Sequence, residues 1–397
     1  MATGLHTPHT ASPASQDEDP LLWLRLIRSR RVGATTFHRL LADHGDVAAA
    51  LAALPAIAAA AGVENYALCP LDVVRHEMAL GRAAQARLLL WGQPDYPRAL
   101  MDLPDAPPVL WAQGRLELLA QPMVAMVGAR NASSLGLRMA RRLSESLGAA
   151  GMVIVSGVAR GIDAEAHQAA LATGTVAVQA GGVDVVYPLE NAALAAEIAS
   201  KGCRISEQPM ATAPQVRHFP QRNRIVSGLA RAVVVVEAAA RSGSLITAKT
   251  ALDQGREVLA VPGHPFDARA AGCNLLLRDG ATLIRSAQDV LEAVGLAGSF
   301  AKPAAALPPL NQAPKRAAAP ALPDLPGPVP PRRALADVAS VHSLILARLG
   351  PSPLAEDQLI RDLAMPPATL APALIALELE GRIERQSGGL LSRLDPV

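Results

Sequence analysis

Short apolar runs alternate with longer segments of helical spacing through the middle of this chain. The runs are Met123–Val127, Met152–Val155, Thr175–Gln179, a short one ending at Ser206, Ala232–Val236 and Glu257–Val261. Runs without polar alternation are typical of parallel strands that are covered on both faces. The pattern predicts a doubly wound α/β domain, and such sheets bind ligands at the carboxyl ends of their strands.

A helical pattern precedes this domain, from Leu21 to about Arg87. It predicts a small helical domain. The basic stretch at residues 28–37, RSRRVGATTF, allows two interpretations. One is a degenerate helix-hairpin-helix that touches backbone phosphate, and the other is a plain helical connector, favoured because Gly33 is its only glycine. The proline-rich segment Leu88–Pro122 is expected to be irregular chain with short strands that covers the next domain.

Proline and alanine dominate Ser299–Arg333, a composition typical of an extended linker. Helical runs follow from about Leu335, and Gly388-Gly389 then separates two short apolar runs, as in a β-hairpin. Three helices and a hairpin predict a winged-helix domain. Its third helix carries two carboxylates and no basic residue, so protein contact is at least as favoured as reading of the DNA major groove.

These patterns predict five successive parts of the chain. The first 19 residues are polar and lack periodicity, so they are expected to be disordered. The order is a disordered tail at 1–19, a helical domain of SAM or helix-hairpin-helix type at 20–87, the α/β domain at 88–298, a linker at 299–333 and a winged-helix-like domain at 334–397.

Composition narrows the class of protein. The 397 residues are 50% hydrophobic and 18% charged, which fits a globular protein of two or three domains. The formal net charge is +2, so any nucleic-acid site must be a local basic patch. The three cysteines are far apart in sequence, the N-terminus lacks a signal-peptide pattern, and no apolar run approaches a membrane span. We therefore expect a cytoplasmic protein without a membrane span.

The stretch SGVARGIDAEAH, Ser156–His167, forms a predicted strand–loop–helix junction. Gly157 and Gly161 allow close approach of a ligand to the backbone. Asp163 is expected to cap the helix, whose N-terminus favours an anion. Arg160 suggests a phosphate-bearing ligand, while an ordinary turn with an exposed arginine remains equally open.

Two further loops offer similar chemistry. In VGARNASSLG, Gly128 allows close approach, Arg130 supplies a cation and Ser133 a hydroxyl or a helix cap. This is not the dinucleotide fingerprint, so NAD is disfavoured. In ARSGSLITA, the Ser242-Gly243-Ser244 run opens a predicted helix and forms a second candidate anion site.

The segment RHFPQRNRIVSG, residues 217–228, is predicted to be a basic loop. It places Arg217, Arg222 and Arg224 around Phe219. Arginine grips phosphate in a bidentate manner, and an aromatic face stacks on any base, as binding of single-stranded nucleic acid requires. The alternative is a solvated basic turn with Phe219 in the core.

Catalytic signatures are hard to find. The sequence lacks the P-loop, H-E-x-x-H and G-x-S-x-G patterns. His167 and Glu165 lie on a predicted helix, and Glu207 and Glu237 end predicted strands, where each carboxylate would orient an arginine as readily as it would do catalysis. We therefore expect no catalytic residue, no metal and no cofactor.

Taken together, these motifs resemble the DprA/Smf family of DNA-processing proteins. The elements VGARNAS, SGVARGIDAEAH, AGGVDVVYPLEN, FPQRNRIVSG, VVEAAARSGSLITA, QGREVLAVPG and GCNLLLRDGA occur in that family's order, over about Leu88–Ile284. The resemblance implies an extended Rossmann-like domain that binds single-stranded DNA without cutting it. It also implies protection of incoming DNA during natural transformation, loading of the recombinase RecA, and a homodimer formed through the Rossmann-like domain.

The resemblance also implies a set of site residues. By position, Arg130 and the group Phe219, Arg222, Asn223 and Arg224 match the family's DNA-contacting pocket. The residues expected to shape its anion-binding floor are Gly128, Ser156, Gly157, Gly161, Ser242, Gly243 and Ser244. Two positions depart from the family's pattern: Ala180-Gly181-Gly182 replaces Gly-Cys-Gly, and Val216 replaces a basic residue, so Arg217 would have to substitute.

Two other functions stay open on the sequence alone. One is a nucleotide phosphoribohydrolase similar to the cytokinin-activating enzymes, whose P-G-G-x-G-T-x-x-E signature is matched here only by RSGSLITAKT, without the glutamate. The other is an assembly factor that works through protein contacts of residues 335–397.

Overall fold

The computed structural model describes residues 19–296, 335–350, 352–386 and 390–394. The chain divides into two compact units, Met1–Ser299 and Phe300–Val397. Apart from Asp19, the predicted tail lies outside the described residues, as do the predicted linker and the Gly388-Gly389 turn. The limits proposed for the five parts of the chain stay predictions.

Four helices open the first unit: α1 (Pro20–Arg28), α2 (Ala34–His44), α3 (Val47–Ala60) and α4 (Leu71–Ala83). The carboxylates of Asp19 and Asp46 cap α1 and α3 by accepting backbone N–H bonds. Trp23 and Phe37 are fully buried between the helices. The predicted helical domain is therefore present, and a short connector joins α1 to α2.

A nine-stranded sheet forms the centre of this unit. Its strands are β1 (Arg87–Leu90), β2 (Val109–Gly114), β3 (Met123–Val127), β4 (Val153–Ser156), β5 (Thr175–Val178), β6 (Cys203–Ser206), β7 (Ala232–Val235), β8 (Glu257–Ala260) and β9 (Thr282–Leu283). The helices between them are α5 (Arg98–Met101), α6 (Ser134–Ala149), α7 (Ile162–Ala170), α8 (Ala192–Lys201), α9 (His218–Leu229), α10 (Gly243–Asp253), α11 (Ala271–Arg278) and α12 (Ala287–Ala293).

The strand order is β1-β2-β6-β5-β4-β3-β7-β8-β9. From β6 to β9 every pair is parallel, which confirms the doubly wound α/β prediction. The expectation that Leu88–Pro122 forms a cover was wrong, because β1 and β2 extend the sheet in antiparallel register on β6. The sheet changes its direction of growth at β3, which pairs with β4 on one side and with β7 on the other.

All side chains of β3, β4, β5 and β7 are buried, because helices cover both faces of these strands. The carboxyl ends of β3 to β8 therefore lie along one edge of the sheet. We call this the carboxyl edge; it consists of the loops 128–133, 157–161, 179–191, 207–217, 236–242 and 261–270.

The second unit contains α13 (Leu335–Arg348), β10 (Leu354–Ala355), α14 (Glu356–Leu363), α15 (Pro367–Leu379), β11 (Ile383–Gln386) and β12 (Leu390–Arg393). Its strands pair in the antiparallel order β10-β12-β11. Leu359, Leu374 and Leu391 lie fully buried in its core. Three helices followed by a β-hairpin confirm the winged-helix prediction.

Within the described residues, no single helix is long and apolar enough to cross a membrane, although two bent helix pairs, α2 with α3 and α14 with α15, reach that length and apolar character when each pair is taken together. Among the same residues, no group of three or more His, Cys, Asp or Glu side chains is placed to hold a metal ion.

Candidate nucleic-acid site

The segment predicted as a basic loop is mostly helix. Helix α9 begins at His218, directly after Arg217, and continues to Leu229. Pro220 is tolerated in its first turn, where the backbone N–H groups have no helical partner. Ile225, Val226 and Leu229 then form an apolar face that packs into the core. The arginines of this segment are therefore divided between different faces of one helix.

Arg222 lies inside the protein, with 7% of its surface exposed. Its guanidinium donates to the carbonyl oxygen of Val178 at 2.8 Å and to that of Gly157. Its Nε donates to Oδ1 of Asn223 at 3.2 Å. Arg222 thus ties α9 to the carboxyl ends of β4 and β5.

The position of the Arg222 guanidinium requires a residue without a Cβ at position 157. A Cβ at residue 157 would overlap the Arg222 guanidinium. The close approach that the sequence predicted for a ligand is made here by a side chain of the protein itself.

Arg224 faces a different part of the molecule. Its guanidinium pairs with the carboxylate of Glu207 and, at 3.4 Å, with that of Asp105, and only 13% of its side chain is exposed. Burial raises the pKa of Glu207, and the adjacent arginines Arg224 and Arg28 lower it. Arg224 therefore ties α9 to Glu207, at the start of the loop after β6, and to Asp105, and it offers no open guanidinium to a ligand.

Phe219 sits between two exposed partners at the start of α9. The Cζ atom of Arg130 lies 5.6 Å from the centroid of the Phe219 ring. On the same phenylalanine, the ring of Tyr187 has its centroid 5.9 Å away at an interplanar angle of 55°. Tyr187 is 53% exposed, Arg130 is exposed and Phe219 is half-buried. We call Arg130, Tyr187 and Phe219 the aromatic–arginine cluster.

Side chains from three separate segments of the chain meet in this cluster. Arg130 follows β3, Tyr187 lies in the loop after β5, and Phe219 is held over the ends of β4 and β5 through Arg222 on its own helix. A cation over an aromatic face is favourable by about 0.5 to 1 kcal/mol at exposed sites. Arg217, which precedes α9, is also exposed.

Tyr187 was missed as a candidate by the sequence interpretation, which used AGGVDVVYPLEN only as one of the motifs of the family resemblance. An exposed aromatic residue beside a proline, in the loop after a predicted parallel strand, is a signal that places it at the carboxyl edge. Its contact with Phe219 depends on the course of α9, which the sequence pattern did not give.

The loop between β4 and α7 is organised by Asp163. Its Oδ2 accepts from the backbone N–H groups of Gly157 at 3.2 Å and Ala159 at 3.4 Å. The expectation that Asp163 caps α7 was wrong: Gly161 holds the cap position with φ +75°, and Asp163 lies buried in the first helical turn. Burial raises the pKa of Asp163, and the Arg222 guanidinium opposes that rise.

Asp163 therefore fills the space that the sequence assigned to an incoming anion. Ser156 is likewise used internally, since its hydroxyl donates to the Met126 carbonyl oxygen at 2.6 Å. Gly161 packs against backbone, where a Cβ would meet the Ala129 carbonyl. Arg160 alone of this loop's candidates is exposed, in an ion pair with Glu190 at 3.4 Å.

Doubly wound sheets bind phosphate where the strand order reverses, which is at β3 in this sheet. Side chains of the protein itself occupy this place. The Glu237 carboxylate accepts from the Ser133 backbone N–H at 3.0 Å and from the Ser133 hydroxyl at 2.5 Å. Ser133 caps α6 by accepting from the Gly136 N–H at 3.0 Å. Beside them, the Ala129 N–H donates to the Glu237 carbonyl at 2.7 Å, and a Cβ at Gly128 would meet that same oxygen at 2.9 Å.

An internal carboxylate thus sits at the amino end of α6, where the helix dipole favours a negative charge. Burial raises the pKa of Glu237, and its hydrogen bonds to Ser133 lower it. Gly128 and Ser133 serve this internal arrangement. We call Glu237 with Ser133 the filled switch point.

The candidate anion site predicted at Ser242-Gly243-Ser244 lies at the start of α10. Ser242 caps this helix, its hydroxyl accepting from the Ser244 N–H at 3.3 Å and contacting the Ser244 hydroxyl at 2.7 Å. Gly243 and the preceding Arg241 are exposed. The structure therefore brings this loop to the carboxyl edge together with the aromatic–arginine cluster, next to the filled switch point.

Models of known protein families match the N-terminal helices, the α/β domain and the winged-helix domain of this chain. The family model for DNA recombination-mediator protein A matches residues 87–295. The model of a DprA-like N-terminal HHH domain matches residues 17–79, and that of a DprA winged helix domain matches 329–389. The match at residues 17–79 shows that the preference for a plain helical connector at residues 28–37 was wrong.

Individual relatives agree with these matches. A curated Protein Smf of Synechocystis is 35% identical over 316 residues, which cover 74% of this chain and 77% of that protein. The crystal structure of DNA processing protein A from Streptococcus pneumoniae aligns with a TM-score of 0.54 and 35% identity, over 64% of this chain and 83% of that one.

A second solved structure is DNA processing protein A from Helicobacter pylori, described for its single-stranded DNA binding mode. It aligns with a TM-score of 0.50 and 29% identity, over 55% of this chain and 99% of that one.

Proposed function

Since this chain belongs to the DprA/Smf family of DNA-processing proteins, we propose that it binds single-stranded DNA at the carboxyl edge of its Rossmann-like sheet, without cutting it. The single observation that carries the proposal is the aromatic–arginine cluster. An exposed tyrosine, a half-buried phenylalanine and an arginine meet there in one contact array.

The chemistry of the cluster suits a flexible single strand. Base stacking on an aromatic side chain contributes on the order of 1 to 3 kcal/mol per base and tolerates any sequence. Arg130 is exposed against the Phe219 ring, and the exposed Arg217 precedes Phe219 by two residues in sequence; we propose that both contact phosphates. A duplex keeps its bases stacked inside, so it offers the rings no free base face.

The residues predicted from the family divide into two roles in this proposal. Arg130, Phe219, Arg217 and Arg160 are proposed to meet the strand, with Tyr187 added from the structure. Arg222, Asn223 and Arg224 are proposed to position α9 and so to hold Phe219 in place. The loop residues Gly128, Ser133, Ser156, Gly157 and Gly161 shape the edge from within, while Ser242, Gly243 and Ser244 are proposed to border the strand.

The hydrolase alternative receives less support. At the start of α6 the Glu237 carboxylate already accepts the Ser133 N–H. In the loop before α7 the Asp163 carboxylate accepts the Gly157 and Ala159 N–H groups, so a phosphate at either place would meet an internal carboxylate. The start of α10 is the remaining place for a phosphate, but its segment RSGSLITAKT lacks the glutamate of the hydrolase signature.

The wider role is proposed from the family alone. It comprises protection of incoming single strands during natural transformation, loading of RecA onto them and a homodimer formed through the Rossmann-like domain. The acidic third helix of the winged-helix domain, α15, favours a protein partner for that domain.

Fluorescence anisotropy of a labelled oligo-dT strand tests the binding proposal, with a duplex of equal length as competitor. We expect the wild type to prefer the single strand and to lose affinity steeply with salt. Arg130→Ala should weaken binding. The matched control is Arg115→Ala, because Arg115 follows β2 at the opposite edge of the sheet and is comparably exposed. Equal affinity for strand and duplex, or equal losses in both variants, would contradict the proposed site.

A further inference from the structure

Phe266 is the most exposed phenylalanine in the described part of the chain. It is 80% exposed, whereas Phe37 is fully buried and Phe219 is half-buried. Its ring lies 5.7 Å from that of His264, which is also exposed. An aromatic residue left in water to this extent loses the favourable burial that a core position would provide, and such exposed apolar surface marks interaction sites.

The loop that carries Phe266 is fixed by hydrogen bonds on both sides. The side-chain amide of Asn274 bonds both the N–H and the carbonyl of Gly263, at 3.3 and 3.2 Å. Beyond the phenylalanine, the carboxylate of Asp267 accepts from the Arg269 backbone N–H at 2.9 Å and pairs with its guanidinium at 3.2 Å. Phe266 is thus presented on an anchored loop.

The position of this loop relates it to the aromatic–arginine cluster. It follows β8 and therefore lies on the carboxyl edge, two strands away from β3, whose loop carries Arg130. Neighbouring strands are about 4.8 Å apart, so β3 and β8 are separated by on the order of 10 Å. The loop of the intervening strand β7 exposes Arg241.

Two arginines therefore lie between two aromatic groups along the carboxyl edge. Phe219 and Tyr187 come first, then Arg130, then Arg241, and then Phe266 with His264. A groove that binds single strands combines cations that follow the backbone with aromatic platforms for successive bases. The same combination occurs here over a distance that a few nucleotides can cover.

We propose that Phe266 is a second base-stacking platform, which receives the part of a single strand that extends past Arg130 and Arg241 from the aromatic–arginine cluster. The inference rests on the proposed single-strand function and adds to it a direction along the sheet. Continuity with the first platform, the basic side chain between the two and the anchored loop favour nucleic acid as the occupant of this surface.

A length series of labelled oligo-dT tests the proposal. The variants of the full chain are Phe266→Ala, Phe266→Trp and Leu252→Ala. Leu252 is a control of similar kind, since it is 59% exposed but lies in the last turn of α10, away from the carboxyl edge. Strands of about 4 and about 16 nucleotides bracket the site sizes known for single-strand binding folds.

We expect Phe266→Ala to bind the longer strand about tenfold more weakly, as loss of one stacked base would produce. The shorter strand, held at Phe219, should bind unchanged. Phe266→Trp should restore the affinity, and Leu252→Ala should match the wild type at both lengths. Circular dichroism spectra and sedimentation of each variant report its fold and its oligomeric state.

The outcomes separate this inference from the function on which it rests. No binding of either strand by the wild type would defeat the proposed function itself. Normal binding by Phe266→Ala at both lengths, with binding still lost in Phe219→Ala, would overturn the second platform alone. A changed oligomeric state of Phe266→Ala with unchanged DNA affinity per protomer would assign Phe266 to contact with a second copy of the chain and would also overturn it.

Discussion

Two places on the carboxyl edge both use residues of the loop after β3 but are built differently. At the filled switch point, Glu237 and Ser133 are buried and satisfy each other's hydrogen bonds. In the aromatic–arginine cluster, Tyr187 and Arg130 are exposed around the half-buried ring of Phe219. Arg130 and Ser133 were both predicted from the loop VGARNASSLG as ligand contacts, so residue type alone does not distinguish a ligand site from an internal bond network. The exposed fraction of the side chains distinguishes the two places, since Glu237 and Ser133 are buried and Tyr187 and Arg130 are exposed.

The largest expected effect concerns a residue that is buried, like the filled switch point. Arg222→Ala would remove the bonds that the guanidinium donates to the carbonyl oxygens of Gly157 and Val178. A buried acceptor left without its donor costs about 1 to 3 kcal/mol for each group. We expect that decrease in the free energy of unfolding, measured by urea denaturation. Arg130→Ala is the exposed counterpart and should change stability by at most about 1 kcal/mol, the size of its contact with Phe219. Similar losses in both would remove the contrast between the two arginines.

Substitutions in the aromatic–arginine cluster should change the affinity for single-stranded DNA. Phe219→Ala is expected to weaken oligo-dT affinity by about 1 to 3 kcal/mol through the lost base stack. Phe219→Trp should keep most of the affinity, because a larger aromatic face remains. Isothermal titration on both variants measures the change. Equal weakening by alanine and tryptophan would mean that the ring has a purely structural role.

A third prediction uses pH. Burial lowers the pKa of His167 to about 3, from an ordinary value of 6.5. The unfolded chain therefore takes up a proton at this residue between those values while the folded chain does not, so stability falls as pH decreases through that window. Between pH 7.5 and 5.5 the histidine should remove about 1.4 kcal/mol.

The control for this prediction is His167→Gln, measured by urea denaturation at both pH values. Other groups titrate in both proteins, so only the difference between them reports His167. The Nδ1 atom of His167 lies 2.7 Å from the Thr175 hydroxyl, and glutamine retains a polar group there. An identical pH dependence in the two proteins would contradict a neutral, buried histidine.

The smallest effect is expected at Arg160, whose ion pair with Glu190 is exposed on both sides. Such pairs contribute about 0 to 1 kcal/mol, so Arg160→Ala should leave the free energy of unfolding nearly unchanged. If Arg160 also contacts a phosphate, the slope of log affinity against log salt should decrease by about 0.7 for the single strand. An unchanged slope would remove Arg160 from the site.

The sequence predicted the parallel strands well because each is a short apolar run, and runs of this kind have few alternatives in a covered sheet. Helix α9 was missed for a physical reason. Its first turns are polar and contain Pro220, and the apolar face begins only at Ile225. Short strands were predicted within Leu88–Pro122, but their antiparallel pairing onto β6 was not, because proline-rich chain around them resembles a separate cover.

The site was only partly predictable. The motifs shared with the family identified Arg130 and Phe219, and the structure brings these two residues together. The same motifs grouped Arg222 and Arg224 with them, although the helix directs these two side chains inward to different partners. One helical turn carries residues to different faces, and a motif written in one dimension does not show which of them reaches solvent.

The most direct test of the account is photocrosslinking of an oligo-dT strand that carries 5-iodouracil, followed by mass spectrometry of the linked peptides. A base stacked on an aromatic side chain is placed to crosslink with it. The account predicts adducts on Tyr187 and Phe219 of the wild type, and their loss with a single-strand competitor. Adducts confined to other surfaces, with Tyr187 and Phe219 unmodified, would contradict the claim that the exposed cluster is the DNA site.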